Sequence, residues 1–227
     1  MTFKQFKTNI RKKIGCVNIG EFVENPVTFN SKESWDSLFS NKKFIKQYDM
    51  QSRLETYKEV IRLLDSYKVF DNVTNMIDFG CGTGQFIAAV LKEHPEIECT
   101  GTDFSLESIE ICKRMNISVN FYVSDIYTIR NDIEKKYDLV VCSEVLEHLT
   151  APEKALKNLL ELLAPNTGKL VITVPNGRLD KYEGHIHFWS PESFKLFIEN
   201  VINTKIYKCS FSLFNNRKNI LAIISFV

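Results

Sequence analysis

From about Met76 onward, short apolar runs alternate with stretches whose apolar residues recur at three- and four-residue spacing, the pattern of βαβ units and a mostly parallel sheet. The runs 76–79, 98–102, 119–123, 137–142 and 169–174 read as strands. Between them, Phe86, Ile87, Val90 and Leu91 form one helical stripe that ends before Pro95, and Ser105 caps a second helix carrying Ile109, Cys112 and Met115. Thr150-Ala-Pro-Glu153 reads as a capping box opening a helix with Leu156, Leu159, Leu160 and Leu163 inward, which stops at Pro165-Asn-Thr-Gly168. A further helix starts at Ser190-Pro191 with Phe194, Phe197, Ile198 and Val201 inward. The β-rich runs 204–214 and 220–227, joined by 215–219, read as an antiparallel pair at one side of the sheet.

Ahead of the first strand, Ser52-x-x-Glu55 opens a helix with Leu54, Tyr57, Val60, Ile61 and Leu64 inward, and Trp35, Leu38, Phe39, Phe44, Ile45 and Tyr48 suggest shorter helices. Residues 30–72 therefore read as a helical cover able to close over a ligand at the strand ends, dividing the chain into 1–72 and 73–227. In residues 2–14, Phe3, Phe6, Ile10 and Ile14 alternate with Lys4, Lys7, Arg11, Lys12 and Lys13. That pattern suits a weakly surface-binding helix, or an arm or helix packed on the main body; the narrow apolar face favours the second.

Composition narrows the class. A length of 227 residues accommodates one large α/β domain or one domain with an appendage, and 44% hydrophobic with 25% charged residues describes an ordinary globule. A net charge of +1 supplies no global field for gathering phosphate polymers, which disfavours nucleic acid as a partner. The six cysteines show no C-x-x-C pair, as suits a reducing cytoplasm. No uncharged apolar stretch approaches the ~20 residues of a transmembrane segment, and no signal-peptide pattern is visible.

The chemistry concentrates at Ile77-Asp-Phe-Gly-Cys-Gly-Thr-Gly84, a strand running into a glycine turn and then a helix, where backbone can approach a nucleotide-like ligand. The G-x-G-x-G spacing misplaces the third glycine of the dinucleotide fingerprint, so a pyrophosphate cradle and an NAD-dependent dehydrogenase fit poorly. Asp78 precedes the turn, Asp103 ends the second strand where a carboxylate can accept ribose hydroxyls, and Asp125 follows the third strand, able to accept an adenine amine while the Ile126 backbone covers the ring. Three acids at one cleft repel a pyrophosphate and suit a ligand with cationic groups, which points to S-adenosylmethionine (SAM).

The segments IDFGCGTG, TGTDFS, SDIY and YDLVVCSEVLEHL, in this order and spacing, resemble the successive motifs of the class I SAM-dependent methyltransferases over roughly 50–227. The resemblance implies an α/β, Rossmann-like, doubly wound sheet of seven strands with the last inserted antiparallel. It implies a cofactor site of Asp78, Gly80, Cys81, Gly82, Gly84, Asp103, Phe104, Asp125, Ile126 and Ser143, with Ser143 or Glu144 beside the sulfonium.

For the methyl acceptor, Ser-Glu-Val-Leu after strand four lacks the Asn/Asp-Pro-Pro-aromatic turn of many planar-amine methylators, and no Pro-Cys pair supplies a cytosine C5 nucleophile. Glu144, Glu147 and His148 would stand at i, i+3 and i+4 if 144–149 is helical, and His185 and His187 make a second cluster. These can hold a divalent cation such as Mg through Glu144, Glu147, His148 and His185, or remove an acceptor proton; the same residues can also form a plain solvent-facing turn. Glu-x-x-Glu-His resembles that of ubiquinone-pathway O-methyltransferases and also that of small-RNA 2′-O-methyltransferases, while His-x-His-Phe-Trp-Ser-Pro resembles bacterial small-molecule and sugar methyltransferases. Near-zero net charge favours a small-molecule hydroxyl over RNA. A non-catalytic SAM-binding subunit is the rival of another class, expected to lack a usable base. Glu144, His148, His185 and His187 are the catalytic candidates.

Overall fold

The computed structural model describes residues 29–48, 51–115, 117–130, 133 and 136–227; the basic segment 2–14, and with it the expectation of a surface-binding or packed arm, lies outside the described residues. The elements are α1 (Lys32–Ser40), α2 (Lys42–Tyr48), α3 (Gln51–Ser66), β1 (Asn75–Phe79), α4 (Gln85–Glu93), β2 (Glu98–Asp103), α5 (Leu106–Lys113), β3 (Asn120–Val123) and β4 (Leu139–Ser143). A 3₁₀ turn (Leu146–His148) follows, then α6 (Pro152–Glu161), β5 (Lys169–Pro175), α7 (Pro191–Val201), β6 (Tyr207–Phe214) and β7 (Asn219–Phe226).

The strands form one sheet in the order β3-β2-β1-β4-β5-β7-β6. Pairing from β3 through β5 is parallel, and β7 runs antiparallel between β5 and β6. This is the expected Rossmann-like arrangement. The central strands read as continuous apolar runs because helices cover both faces: Met76, Ile77, Phe79, Leu139, Val140, Val141 and Cys142 are each at most 1% exposed. Strand order reverses between β1 and β4, so a crevice opens at their carboxyl ends.

On one face lie Val60, Ile61 and Leu64 of α3, Ile87 and Val90 of α4, and Ile109 and Cys112 of α5. On the other lie Leu156 and Leu159 of α6 with Phe194 and Ile198 of α7. Full burial of each large aliphatic or aromatic side chain contributes about 1.5–3 kcal/mol. Segment 30–72 thus divides by its packing: α3 belongs to the sheet's core, whereas α1 lies over the crevice.

Ser105 and Ser190 cap α5 and α7 as read from the sequence, accepting from Ser108 N and Ser193 N. Two cap expectations fail. Helix α3 begins at Gln51, so Ser52 lies inside its first turn. Helix α6 begins at Pro152 behind Ala151, with no side-chain cap, because Thr150 turns into the crevice wall and the Ala151 N–H donates instead to Tyr127 Oη at 2.9 Å.

Candidate active site

Four strand ends build the crevice. After β1, Gly80, Gly82 and Gly84 take φ of 78°, 52° and 76°, left-handed values at which side chains other than glycine are strained. At Gly80 a Cβ would lie 2.3 Å from Val145 Cγ2, so the turn also needs glycine for space. Main-chain N–H groups of Gly80 and Cys81 donate to Thr102 O at 2.7 and 2.9 Å, tying the turn to β2. Asp103, at the end of β2, accepts from Gly82 N (3.0 Å) and Ser105 N (2.9 Å).

Burial pushes Asp103 up to about 6, partly offset by those two N–H donors. Burial, then the Asp103 charge, pushes Asp78 up to about 7, and its Oδ1 has no hydrogen-bond partner. Asp78, which does not line the cavity within this crevice, thus keeps one buried oxygen without a partner beside the glycine turn, whereas both Asp103 oxygens accept from main-chain donors.

A cavity of about 400 Å³ opens at these ends. Its wall contains Gly80, Asp103, Phe104, Asp125, Ile126 and Glu144 from the sequence-derived set. Trp35 and Phe39 of α1 close it from above, and His148 forms part of the far wall. Helix α1 is anchored on the cofactor side by Asp36, whose Oδ1 accepts from Ser105 Oγ at 2.6 Å.

Behind that wall Glu147 and His185 converge on His148, the three each offering one ligand atom within 4.8 Å of the others; only His148 lines the cavity. His148 Nε2 and His185 Nε2 both lie 3.9 Å from Glu147 Oε1. Glu147 is 1% exposed and neither of its carboxylate oxygens has a hydrogen-bond partner; burial, then the Glu144 charge, pushes its carboxyl well above the ordinary range. Both rings are held from behind. His148 Nδ1 faces Asn30 Oδ1 (2.9 Å) and Gly184 O (3.3 Å), and His185 Nδ1 faces Asp180 Oδ2 (2.5 Å). Burial lowers His148 to about 3, so its ring is neutral. For Asp180, burial is outweighed by hydrogen bonds from His185 and the Tyr182 N–H, leaving the carboxyl below its ordinary value. Main-chain bonds from Ile186 N and His187 N to Glu147 O, at 2.8 and 3.1 Å, tie the 184–187 loop to the 3₁₀ turn.

The helical-face reading of 144–149 does not hold. Glu144 has φ 56°, and only Leu146–His148 turns, as 3₁₀. The kink sends the Glu144 carboxylate to Thr173 Oγ1 (2.9 Å) and Asn219 Nδ2 (3.0 Å), outside the converging set. His187 also stands apart: its Nε2–H donates to Leu149 O at 2.8 Å and its ring stacks on Trp189. The Ser143 hydroxyl pairs with Thr173 Oγ1 at 2.8 Å, and the Cys81 thiol lies beside Cys112, whose Sγ donates to Gly82 O at 3.1 Å.

Sequence reasoning missed Asn30, Ser124, Tyr127 and Asp180. Asp180 carried a usable signal, an acid five residues ahead of a loop histidine; Asn30, separated by 118 residues from the ring it holds, carried none.

A family model described as a methyltransferase domain matches residues 47–201. The ubiquinone biosynthesis O-methyltransferase of Coxiella burnetii is 30% identical over 112 residues, 48% of this chain and 46% of that protein. The chain thus spans about half the length of the curated relatives it matches. Among solved structures, the plantazolicin methyltransferase BpumL in complex with SAH aligns with a TM-score of 0.66 at 18% identity, covering 92% of this chain and 100% of that one. The N-methyltransferase NodS from Bradyrhizobium japonicum WM9, in complex with S-adenosyl-L-homocysteine, aligns with a TM-score of 0.64 at 21% identity, covering 87% and 98%. At such identities the two structures speak to the fold.

Proposed function

The chain belongs to the methyltransferase-domain family, and from that premise we propose that it is a SAM-dependent enzyme methylating a hydroxyl of a small metabolite, quinone precursor or sugar. The observation that carries the hydroxyl reading is the convergence of Glu147 and His185 on His148, which itself lines the cavity. A carboxylate without hydrogen-bond partners facing two imidazole nitrogens is a donor set for a divalent cation, and rings held from behind by Asn30 and Asp180 are the usual support of such ligands. Glu147, His148 and His185 would hold the ion, which would polarise an acceptor oxygen. A ring as weakly basic as His148 suits a ligand better than a general base.

Bound SAM supplies a methyl carbon already activated by its sulfonium, so alignment is the chain's main task. In this reading Asp103 accepts the ribose hydroxyls, Asp125 and Ile126 flank the adenine, the glycine turn borders the methionine portion, and Asp78 faces its positive charge. Trp35 and Phe39 exclude water from above. Leu179, Tyr182 and Phe188, exposed at 52%, 44% and 50%, give the loop carrying His185 an apolar rim suited to an organic acceptor. Among the described residues no helix is long and apolar enough to cross a membrane.

The test is a panel of phenols, sugars, hydroxy acids, amines and short RNAs incubated with SAM and read by a methyl mass shift, with and without chelator. Methylation of a small hydroxyl, lost with chelator and restored by Mg(II) or Mn(II), is expected; amine-only or RNA-only transfer would overturn the acceptor class, and chelator-insensitive turnover would overturn the cation. Calorimetry on Asp103→Ala checks the cofactor end, where loss of a buried charge-assisted contact is expected to weaken SAM by about 1–3 kcal/mol.

A further inference from the structure

We propose that Asn30 is a positioning residue: it fixes the tautomer of His148, so that a bare Nε2 faces Glu147 only while α1 is seated over the crevice. The role of the bare nitrogen rests on reading Glu147, His148 and His185 as a cation site; the tautomer itself does not.

Asn30 uses both ends of its amide. Its Nδ2 donates to Gly184 O at 2.8 Å, which orients the group and turns Oδ1 toward His148 Nδ1 at 2.9 Å. Both neighbours of Nδ1, Asn30 Oδ1 and Gly184 O, can only accept, so the single proton of the neutral ring sits on Nδ1 and Nε2 keeps its lone pair.

The competing tautomer has an obvious trap. With the proton on Nε2, the ring would donate to Glu147 Oε1, now 3.9 Å away and without a partner, and a small ring shift would close the site into a histidine–glutamate hydrogen bond. Gly184 O alone, at 3.3 Å, is a weak counterweight. Asn30 supplies the stronger acceptor that keeps the cluster open.

Asn30 immediately precedes Ser31, the N-cap of α1, so the clamp travels with that helix. Trp35, one turn along, sets its ring edge-on to His148 with centroids 5.2 Å apart. Asp36, one residue further, holds Ser105, whose own N–H binds Asp103. A single helix therefore touches both the cofactor carboxylate's turn and the histidine ring. Gly184 leaves room for this seating: a Cβ there would lie 2.4 Å from Phe29 Cε1 and 2.6 Å from Tyr182 Cε1.

The experiment is nitrogen-15 NMR of the histidine rings in the metal-free full chain, paired with Mn(II) titration followed by electron paramagnetic resonance. The wild type is expected to show the Nδ1–H tautomer at His148. Asn30→Leu should move that signal toward Nε2–H and weaken Mn(II) by about 10- to 100-fold, whereas Asn30→Asp, which keeps an acceptor at Nδ1, should retain both properties. Gly184→Ala, which keeps the Asn30 and His148 side chains but crowds Phe29 and Tyr182 and so shifts the carbonyl that orients Asn30, should reproduce the Asn30→Leu signature and serves if that variant does not fold. An unchanged tautomer in Asn30→Leu or in Gly184→Ala would overturn the proposal. If the wild type binds no Mn(II) while the tautomer still shifts, the cation reading fails and Asn30's role stands.

Discussion

The two ends of the crevice are built in opposite ways. The cofactor end is local: its glycine turn, Asp78 and Asp103 lie within 26 residues on two adjacent strands, and its conformation is enforced by backbone bonds to Thr102 and by the carboxylate of Asp103. The acceptor end is assembled from Asn30, the 3₁₀ turn and the 180–187 loop: two main-chain bonds join the loop to the turn, and the rest of the cluster is side chains that meet from three distant segments. An end made of backbone tolerates little change. An end that depends on side chains from distant segments can be rebuilt by exchanging loops, which suits the acceptor role proposed for it.

The sharpest way to break the comparison is Gly80→Ala. A side chain there meets Val145 Cγ2 at 2.3 Å on a backbone with φ 78°, and strain plus overpacking sum to about 3 kcal/mol or more. Calorimetry should show SAM affinity reduced beyond roughly a hundredfold; near-normal affinity would mean that the turn is more pliable than its geometry implies.

Next in size is the response to acid. Asp78 and Asp103 sit above their ordinary value in the free chain, so they ionise only as pH rises through about 6 and about 7. The positive groups of SAM favour the ionised forms. Affinity should therefore be full above pH 7 and fall as pH drops through 7 and then 6, by at most about tenfold per unit for each proton taken up. Asp78→Asn should remove the upper step, and a flat wild-type profile between pH 5.5 and 8 would dismiss these carboxyls as the charge receptor.

The smallest effect belongs to the acceptor end. Glu147→Gln replaces a buried acid that has no partner, so in chelator the variant should melt slightly higher, by about 1 kcal/mol or roughly 2–4 °C for a chain of this size. It should also lose the stabilisation by Mn(II) expected of the wild type under the proposed cation site. A lower melting point in chelator would show that the carboxylate has a structural partner.

The same contrast governs what could be read from the sequence. The apolar runs of β1, β2 and β3 lead straight to the residues at their ends, so Gly80, Asp103 and Asp125 are legible from spacing as residues that line the cavity, and the C-terminal pair announces itself by the β-rich runs 204–214 and 220–227 joined by 215–219. Nothing in Ser143-Glu-Val-Leu146 signals a left-handed Glu144, and that one dihedral moves its carboxylate from the expected face to Thr173 and Asn219. Thr150 matched a capping box in composition, but tertiary contact with the crevice decided its orientation. Asn30 was invisible because its role exists only across 118 residues of chain.

The position of β7 has a kinetic consequence. Because it inserts between β5 and β6, the edge of β5, with Val171 and Ile172 at its centre, finds its partner only when residues 219–225 arrive, some fifty positions downstream. Strands β6 and β7 form a tight hairpin across 215–218 and can pair early by themselves. Folding should then proceed as the docking of a preformed hairpin onto a nearly complete parallel sheet, and any delay leaves an apolar edge open to a second chain.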